Sequence, residues 1–278
     1  MTSLKRLQHR LHINGLTFNV IDEGEGDPVL LVHGFPDDHI VWRKQIPALV
    51  AAGYRVIAPD MRGCGQSDMA SSTRDYALSI LVSDLVGIID ALEIPTVKLV
   101  GHDWGSVICW QFCITHSERI ERYAALSVGH PAAYARAPFE QKLKGWYVLM
   151  FQLRGFAEWL LKAGNWAVFR KFAAHPVETT HWIANLGRPG RLTAAINYYR
   201  ANLGPLLRPD AGKVRVPVMG VFSDGDRYLV EAQMRSSAEY VEGAFRFELV
   251  SGASHWLQVD TPEQVNALLL DFFKDPMK

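Results

Sequence analysis

The chain has 278 residues, 49% of them apolar and 21% charged, with 29 basic residues balancing 29 acidic ones. That composition predicts a packed globular protein, and zero formal net charge removes the electrostatic footprint expected of a nucleic-acid binder. Residues 1–12 hold Lys5, Arg6, Arg10 and two histidines with no apolar core, so no secretory leader is expected, and no run approaches the roughly 20 apolar residues of a membrane span. The three cysteines, Cys64, Cys109 and Cys113, are odd in number and match no metal spacing. They predict free thiols in a reducing, cytoplasmic setting.

In chain order, residues 11–21 alternate apolar and polar about Asn14-Gly15, which reads as a tight hairpin turn. Short apolar runs at 28–34, 54–60, 97–103 and 123–129, and later at 216–222 and 245–252, read as buried parallel strands. Between them, Leu81, Leu85, Ile88, Ile89 and Leu92 share one helix face. Val107, Ile108, Gln111, Phe112 and Thr115 share another, on a helix that begins near Trp104. This alternation predicts an α/β fold with a mostly parallel sheet and helices on both faces. After residue 130 it stops. Residues 131–212 read as helices at 139–163, 165–174, 176–186 and 190–202, with 13 of the chain's 30 aromatic residues and 11 Lys and Arg against 4 Asp and Glu. A core of residues 1–130 and 213–278 with a helical lid over 131–212 is expected, the lid's apolar underside facing a pocket. No repeat or low-complexity tract is present.

The stretch "LVGHDWGSVICWQF", residues 99–112, carries the chemistry. A buried strand arrives at Gly-x-Asp-x-Gly and a helix leaves it. Such a corner holds its central residue at positive φ. Gly101 and Gly105 remove Cβ atoms where strand and helix close together, and the side chain is presented at the carboxyl edge of the sheet. The Trp104 N–H lies at the helix N-terminus, ready for negative charge. Asp103 would otherwise serve as an ordinary helix N-cap.

"HGFPDDHIVW" (33–42), "DMRGCGQSD" (60–68) and "GHDWG" (101–105), in that order, resemble the α/β-hydrolase superfamily, and specifically its epoxide hydrolase and haloalkane dehalogenase branch. The resemblance spans nearly the whole chain. It implies that Asp103 is a nucleophile toward saturated carbon. With a reference pKa near ~4 a carboxylate is ionised without help, and its attack leaves an alkyl ester that water must cleave. His255, in "SGASHWLQVDTPEQV" (251–265), is the expected base. Asp226, in "FSDGDRYL" (222–229), is the expected orienting acid, with Asp224 its rival. Backbone N–H groups of Phe35 and Trp104 would form the oxyanion hole, and His33 would brace its loop.

An opening epoxide needs a proton donor, a role suited to tyrosine with a reference pKa near ~10. "INYYRAN" (196–202) resembles the epoxide hydrolase segment whose tyrosine before Arg contacts the epoxide oxygen, here Tyr199. "GWYVLMFQ" (145–152) resembles the segment carrying the other ring-opening tyrosine, here Tyr147. Phe35, Trp104, Phe151 and Trp256 are expected at the substrate pocket. A haloalkane dehalogenase is the alternative: Trp104 could donate to halide, but Phe35 replaces the usual companion amide. A lid-covered pocket that only binds is a third reading, disfavoured by the intact Asp103, Asp226 and His255. An apolar epoxide and water are the implied partners, and no metal or organic cofactor is implied.

Overall fold

A computed structural model describes residues 7–274. The outer ends of the expected core segments, and with them Lys5 and Arg6 of the leader reading, lie outside the described residues. The chain opens with the expected hairpin: β1 (Leu7–Ile13) and β2 (Leu16–Glu23) pair antiparallel about Asn14 and Gly15. Both turn residues have positive φ, 52° and 76°, the type I′ geometry that Asn-Gly favours. Then follow β3 (Asp27–Val32), β4 (Tyr54–Pro59), β5 (Val97–His102), β6 (Ile120–Leu126), β7 (Val218–Ser223) and β8 (Phe245–Val250). They form one sheet in the order β1-β2-β4-β3-β5-β6-β7-β8, parallel from β4 to β8, with β2 antiparallel to both β1 and β4.

Of the strands expected to be buried, β8 lies at the sheet edge and buries only Val250, but every residue of β5 and of β7 is buried, which requires cover on both faces. Helices supply it in groups. The α1 helix (Gln45–Ala51) contacts α13 (Pro262–Lys274), while α2 (Leu78–Ala91) contacts α3 (Trp104–Thr115). The α2 helix buries Leu81, Leu85, Ile88 and Ile89 of the stripe read from the sequence, while Leu92 falls at its C-cap and is half-buried. Each such side chain contributes about 1.5–3 kcal/mol on burial. The α3 helix departs from expectation: it buries Trp104 through Trp110 as well as Phe112 and Cys113, while Thr115 is exposed. A helix wedged between sheet and α2 has little free surface, so its periodicity does not mark one face.

Between β6 and β7 the described residues hold helices and no strand: α4 (Pro131–Arg136), α5 (Phe139–Lys144), α6 (Trp146–Met150), α7 (Phe156–Ala173), α8 (Thr179–Leu186), α9 (Arg191–Ala201) and α10 (Leu203–Leu207). The single helix expected over 139–163 is broken at Gly145 and again at Gly155, whose φ is 76°. Backbone at Ala163–Trp166 leaves helical values, near the interruption expected between 163 and 165. The α4 and α10 helices, each short, were not anticipated. The chain continues through α11 (Glu231–Arg235) and α12 (Leu257–Asp260) to α13. Among the described residues no helix is long and apolar enough to cross a membrane.

Candidate active site

The strand order reverses between β3 and β5, which are neighbours although β4 lies between them in sequence. Ligands of open parallel sheets bind at such a switch, beyond the carboxyl ends of the strands. Phe35 follows β3 there, Asp103 follows β5, Asp226 follows β7 and His255 follows β8.

Asp103 has φ 53° and ψ −122°, and its side chain caps no helix N–H. The ordinary N-cap role is therefore not the one it fills. The glycines behave as the corner demands. A Cβ on Gly101 would come within 2.7 Å of the Gly105 carbonyl and 2.8 Å of Ser106 Cα, and one on Gly105 would collide with the Val32 carbonyl. Only a bare backbone lets α3 approach β3 and β5 this closely.

The Asp103 carboxylate is divided between two tasks. Oδ1 accepts a 2.7 Å hydrogen bond from the Phe35 N–H. Oδ2 faces His255 Nε2 at 3.3 Å. On the far side of the imidazole, Nδ1 donates to Asp226 Oδ2 at 2.7 Å. Asp226 is itself fixed, its Oδ1 accepting the N–H groups of Tyr228 at 2.8 Å and Leu229 at 3.0 Å. Asp224, the rival, is remote from this chain of contacts: it is exposed and accepts the Gly252 N–H at 2.9 Å as part of a surface turn. The His255 carbonyl is held by His102 Nε2 and Ser127 Oγ, each at 2.9 Å.

Electrostatics follow from this packing. Burial works against a charged imidazole at His255, but Asp226 and Asp103 outweigh it and push its pKa up to about 10. Burial likewise opposes the Asp103 charge, and the hydrogen bond to His255 prevails, holding its pKa below the usual carboxylate value. Asp103 and a protonated His255 thus form an ion pair. His102 is pushed down to about 3 by burial and by its neighbour His255, so it stays neutral and supplies only its hydrogen bond.

Two arms of cavity meet at these groups. One, of about 530 Å³, is walled by Val107, Val128, Tyr134, Leu206 and Leu229. The other, of about 290 Å³, is walled by Phe35, Phe172, Tyr228 and Trp256. Asp103, Tyr147, Tyr199 and His255 line both arms. The Tyr147 and Tyr199 rings meet edge to face at 5.9 Å, and Trp104 packs against Tyr199 at 5.1 Å. Burial, with Asp103 nearby, raises both phenols well above their ordinary pKa, so they remain proton donors. Phe151 is fully buried behind Phe35, Tyr147 and Tyr199 and is absent from both cavity walls. It supports the pocket from outside.

The remaining motif residues brace the site. His33 Nδ1 donates to the Gly34 carbonyl at 2.9 Å and Nε2 accepts the Met61 N–H at 2.9 Å, tying the loop after β3 to the loop after β4. Asp60 accepts from Asn19, His39 and Gln66, and Arg62 pairs with the buried Asp84 at 2.6 Å. Sequence reading missed Tyr228, whose ring lies 5.2 Å from that of His255, and Asp37, which accepts both the Trp182 and Trp256 indole N–H groups at 2.7 and 3.0 Å. Tyr228 stands two residues after Asp226 and Asp37 follows Pro36. That closeness to motif residues was the available signal for each.

The α/β hydrolase fold family matches residues 27–262. Epoxide hydrolase 3 of Xenopus tropicalis is 33% identical over 99% of this chain and 80% of its own length. Epoxide hydrolase A of Mycobacterium tuberculosis is also 33% identical, over 93% of this chain and 94% of its own. Among solved structures, epoxide hydrolase A from Mycobacterium thermoresistibile superposes with a TM-score of 0.84 at 27% identity, covering 97% of this chain and 98% of that one. The corner aspartate, the parallel sheet that carries it and full-length likeness to these proteins agree, and the chain belongs to the epoxide hydrolase family of the α/β-hydrolase fold.

Proposed function

We propose that this protein hydrolyses apolar epoxides to vicinal diols in two steps, under a helical cap formed by residues 131–212. In the first, an Asp103 Oδ2 lone pair attacks a ring carbon and the ring C–O bond breaks. The departing oxygen takes a proton from Tyr147 or Tyr199, leaving an ester and a phenolate, and the phenolate regains a proton from the imidazolium of His255, which leaves that ring neutral. In the second, His255 takes a proton from water and hydroxide adds to the ester carbonyl, whose oxygen, Oδ1, rests on the Phe35 N–H; the Trp104 N–H is the second donor. Collapse expels the diol oxygen, which takes the proton from His255, and the regenerated carboxyl group gives its proton to His255, restoring the ion pair.

The observation that carries this reading is the unbroken contact chain Asp103–His255–Asp226 opposite two buried tyrosines in one cavity. The ion pair also accounts for the order of events. While Asp103 is anionic, His255 is held protonated and cannot act as a base. Esterification removes that charge, leaving Asp226 as the remaining anionic partner, so the imidazole pKa falls when a base is needed. Three free thiols support a cytoplasmic location.

His255→Gln tests the scheme. The ester should form and persist, so mass spectrometry should find the protein heavier by one substrate. In isotopically labelled water, the first-turnover diol of the unaltered enzyme should take its new oxygen from Asp103. No added mass under saturating epoxide would refute the covalent route.

A further inference from the structure

Among the described residues, eleven large apolar side chains are exposed, and seven of them fall between 139 and 159: Phe139, Leu143, Trp146, Leu149, Leu153, Phe156 and Trp159, each 47% to 69% accessible. They recur every three or four residues along α5, α6, the following turn and the start of α7. Scattered exposed hydrophobes need no explanation, but a concentration of this kind marks a contact surface. A groove of about 1210 Å³ joins the helices: Leu143, Trp146 and Met150 line it from α5 and α6, and Leu160 and Val168 from α7. Its floor includes Tyr147, Phe172 and Tyr228, whose other sides wall the cavity of Asp103.

Charge selects the occupant. Residues 131–173 hold seven Lys and Arg against two acids. Glu158 is already engaged by Arg200 at 2.7 Å, and Glu140 lies 3.7 Å from Lys144. Lys142, Arg154, Lys162, Arg170 and Lys171 are all exposed. A second copy docked face to face would oppose like charges. An anionic lipid surface would instead accept the tryptophans and leucines among its headgroups and attract the surrounding cations.

We propose that the α5–α7 face is a peripheral docking surface for anionic lipid bilayers, seating the apolar groove against the membrane. Delivery of apolar epoxides from lipid to the site would be the consequence, and that consequence alone rests on the activity proposed above. Binding is therefore measured without substrate, by cosedimentation of the full chain with phosphatidylcholine vesicles with and without phosphatidylglycerol. The protein should pellet with the anionic vesicles, less so with the neutral ones, and should be released by salt. Leu149→Glu with Trp159→Glu should cut binding by about tenfold or more and leave turnover of dissolved styrene oxide unchanged. Protein that stays in the supernatant with both vesicle types overturns the proposal. So does binding indifferent to the double substitution, or to lipid charge and salt. A dimer that the double substitution dissolves, without vesicle binding, assigns the face to a second copy and overturns it too.

Discussion

Replacing Asp226 by Asn separates the two proposed steps because its effect is confined to His255. Asp226 Oδ1 accepts two backbone N–H groups while Oδ2 accepts His255 Nδ1–H. An asparagine can keep the two backbone bonds only by placing its oxygen there, which turns its NH₂ toward Nδ1. Nδ1 must then accept, and the neutral ring carries its proton on Nε2, facing Asp103, where it cannot take one from water. Losing the charge-assisted bond to the imidazolium costs about 1.5–3 kcal/mol, and the wrong tautomer adds to that. The combined loss expected in ester hydrolysis is about 10⁴-fold, the size of the same change in a Ser-His-Asp triad. Alkylation should be far less affected, since Asp103 ionises unaided. Quenched-flow mass spectrometry should therefore catch nearly one ester per enzyme, with diol release rate-limiting. Asp224→Asn should leave turnover unaltered. Asp226→Asn turning over within tenfold of the parent, or losing turnover with no ester accumulating, would refute the assignment.

Other outcomes follow from the same geometry. Tyr199→Phe should slow ester formation by about 10²–10⁴-fold, read as single-turnover rate, without slowing breakdown of a preformed ester. Gly34→Ala should abolish ester formation, because the new Cβ would meet Asp103 Oδ1 and lie 2.5 Å from Asp103 Cβ; normal labelling of Asp103 in a folded variant would contradict this. The raised pKa of His255, about 10 in the fold, means that its ion pairs contribute stability fully below the ordinary histidine pKa of ~6.5, a contribution lost as pH rises through the folded value. The Tm difference between the parent and His255→Gln should shrink across that window. Arg62→Met strands the buried Asp84 and should cost about 3–5 kcal/mol in denaturant unfolding, much of it restored by adding Asp84→Leu.

Chain order, strand runs and the Gly-x-Asp-x-Gly corner were legible in the sequence because each rests on local physics. Central parallel strands are covered on both faces and so run mostly apolar, Asn-Gly closes a type I′ turn, and a strand can pass into a helix at so tight a corner only where Cβ atoms are missing; the strand rule located β8 but not its exposure, since an edge strand buries only Val250 there. The amphipathic stripe of α2 was readable for the same reason. The α3 face was not, since periodicity records one exposed side and α3 has almost none. Nor could the breaks at Gly145 and Gly155 be told from glycines tolerated inside a longer helix.

What the sequence left open was any relation between distant residues. It offered Asp224 and Asp226 in one turn with equal chemistry; folding buries one beside His255 and leaves the other to cap Gly252. It could name Phe151 as aromatic and near Tyr147, but only packing places it behind Tyr199 rather than before it. The division of the Asp103 carboxylate between the Phe35 N–H and His255, the elevation of the His255 pKa and the joining of Tyr147 and Tyr199 in one cavity depend on separations of ångströms between segments far apart in the chain. Local sequence determines which groups are available and which corners they can occupy. Charge stabilisation falls off with distance and burial, so the tertiary structure alone decides which of those groups act on one another.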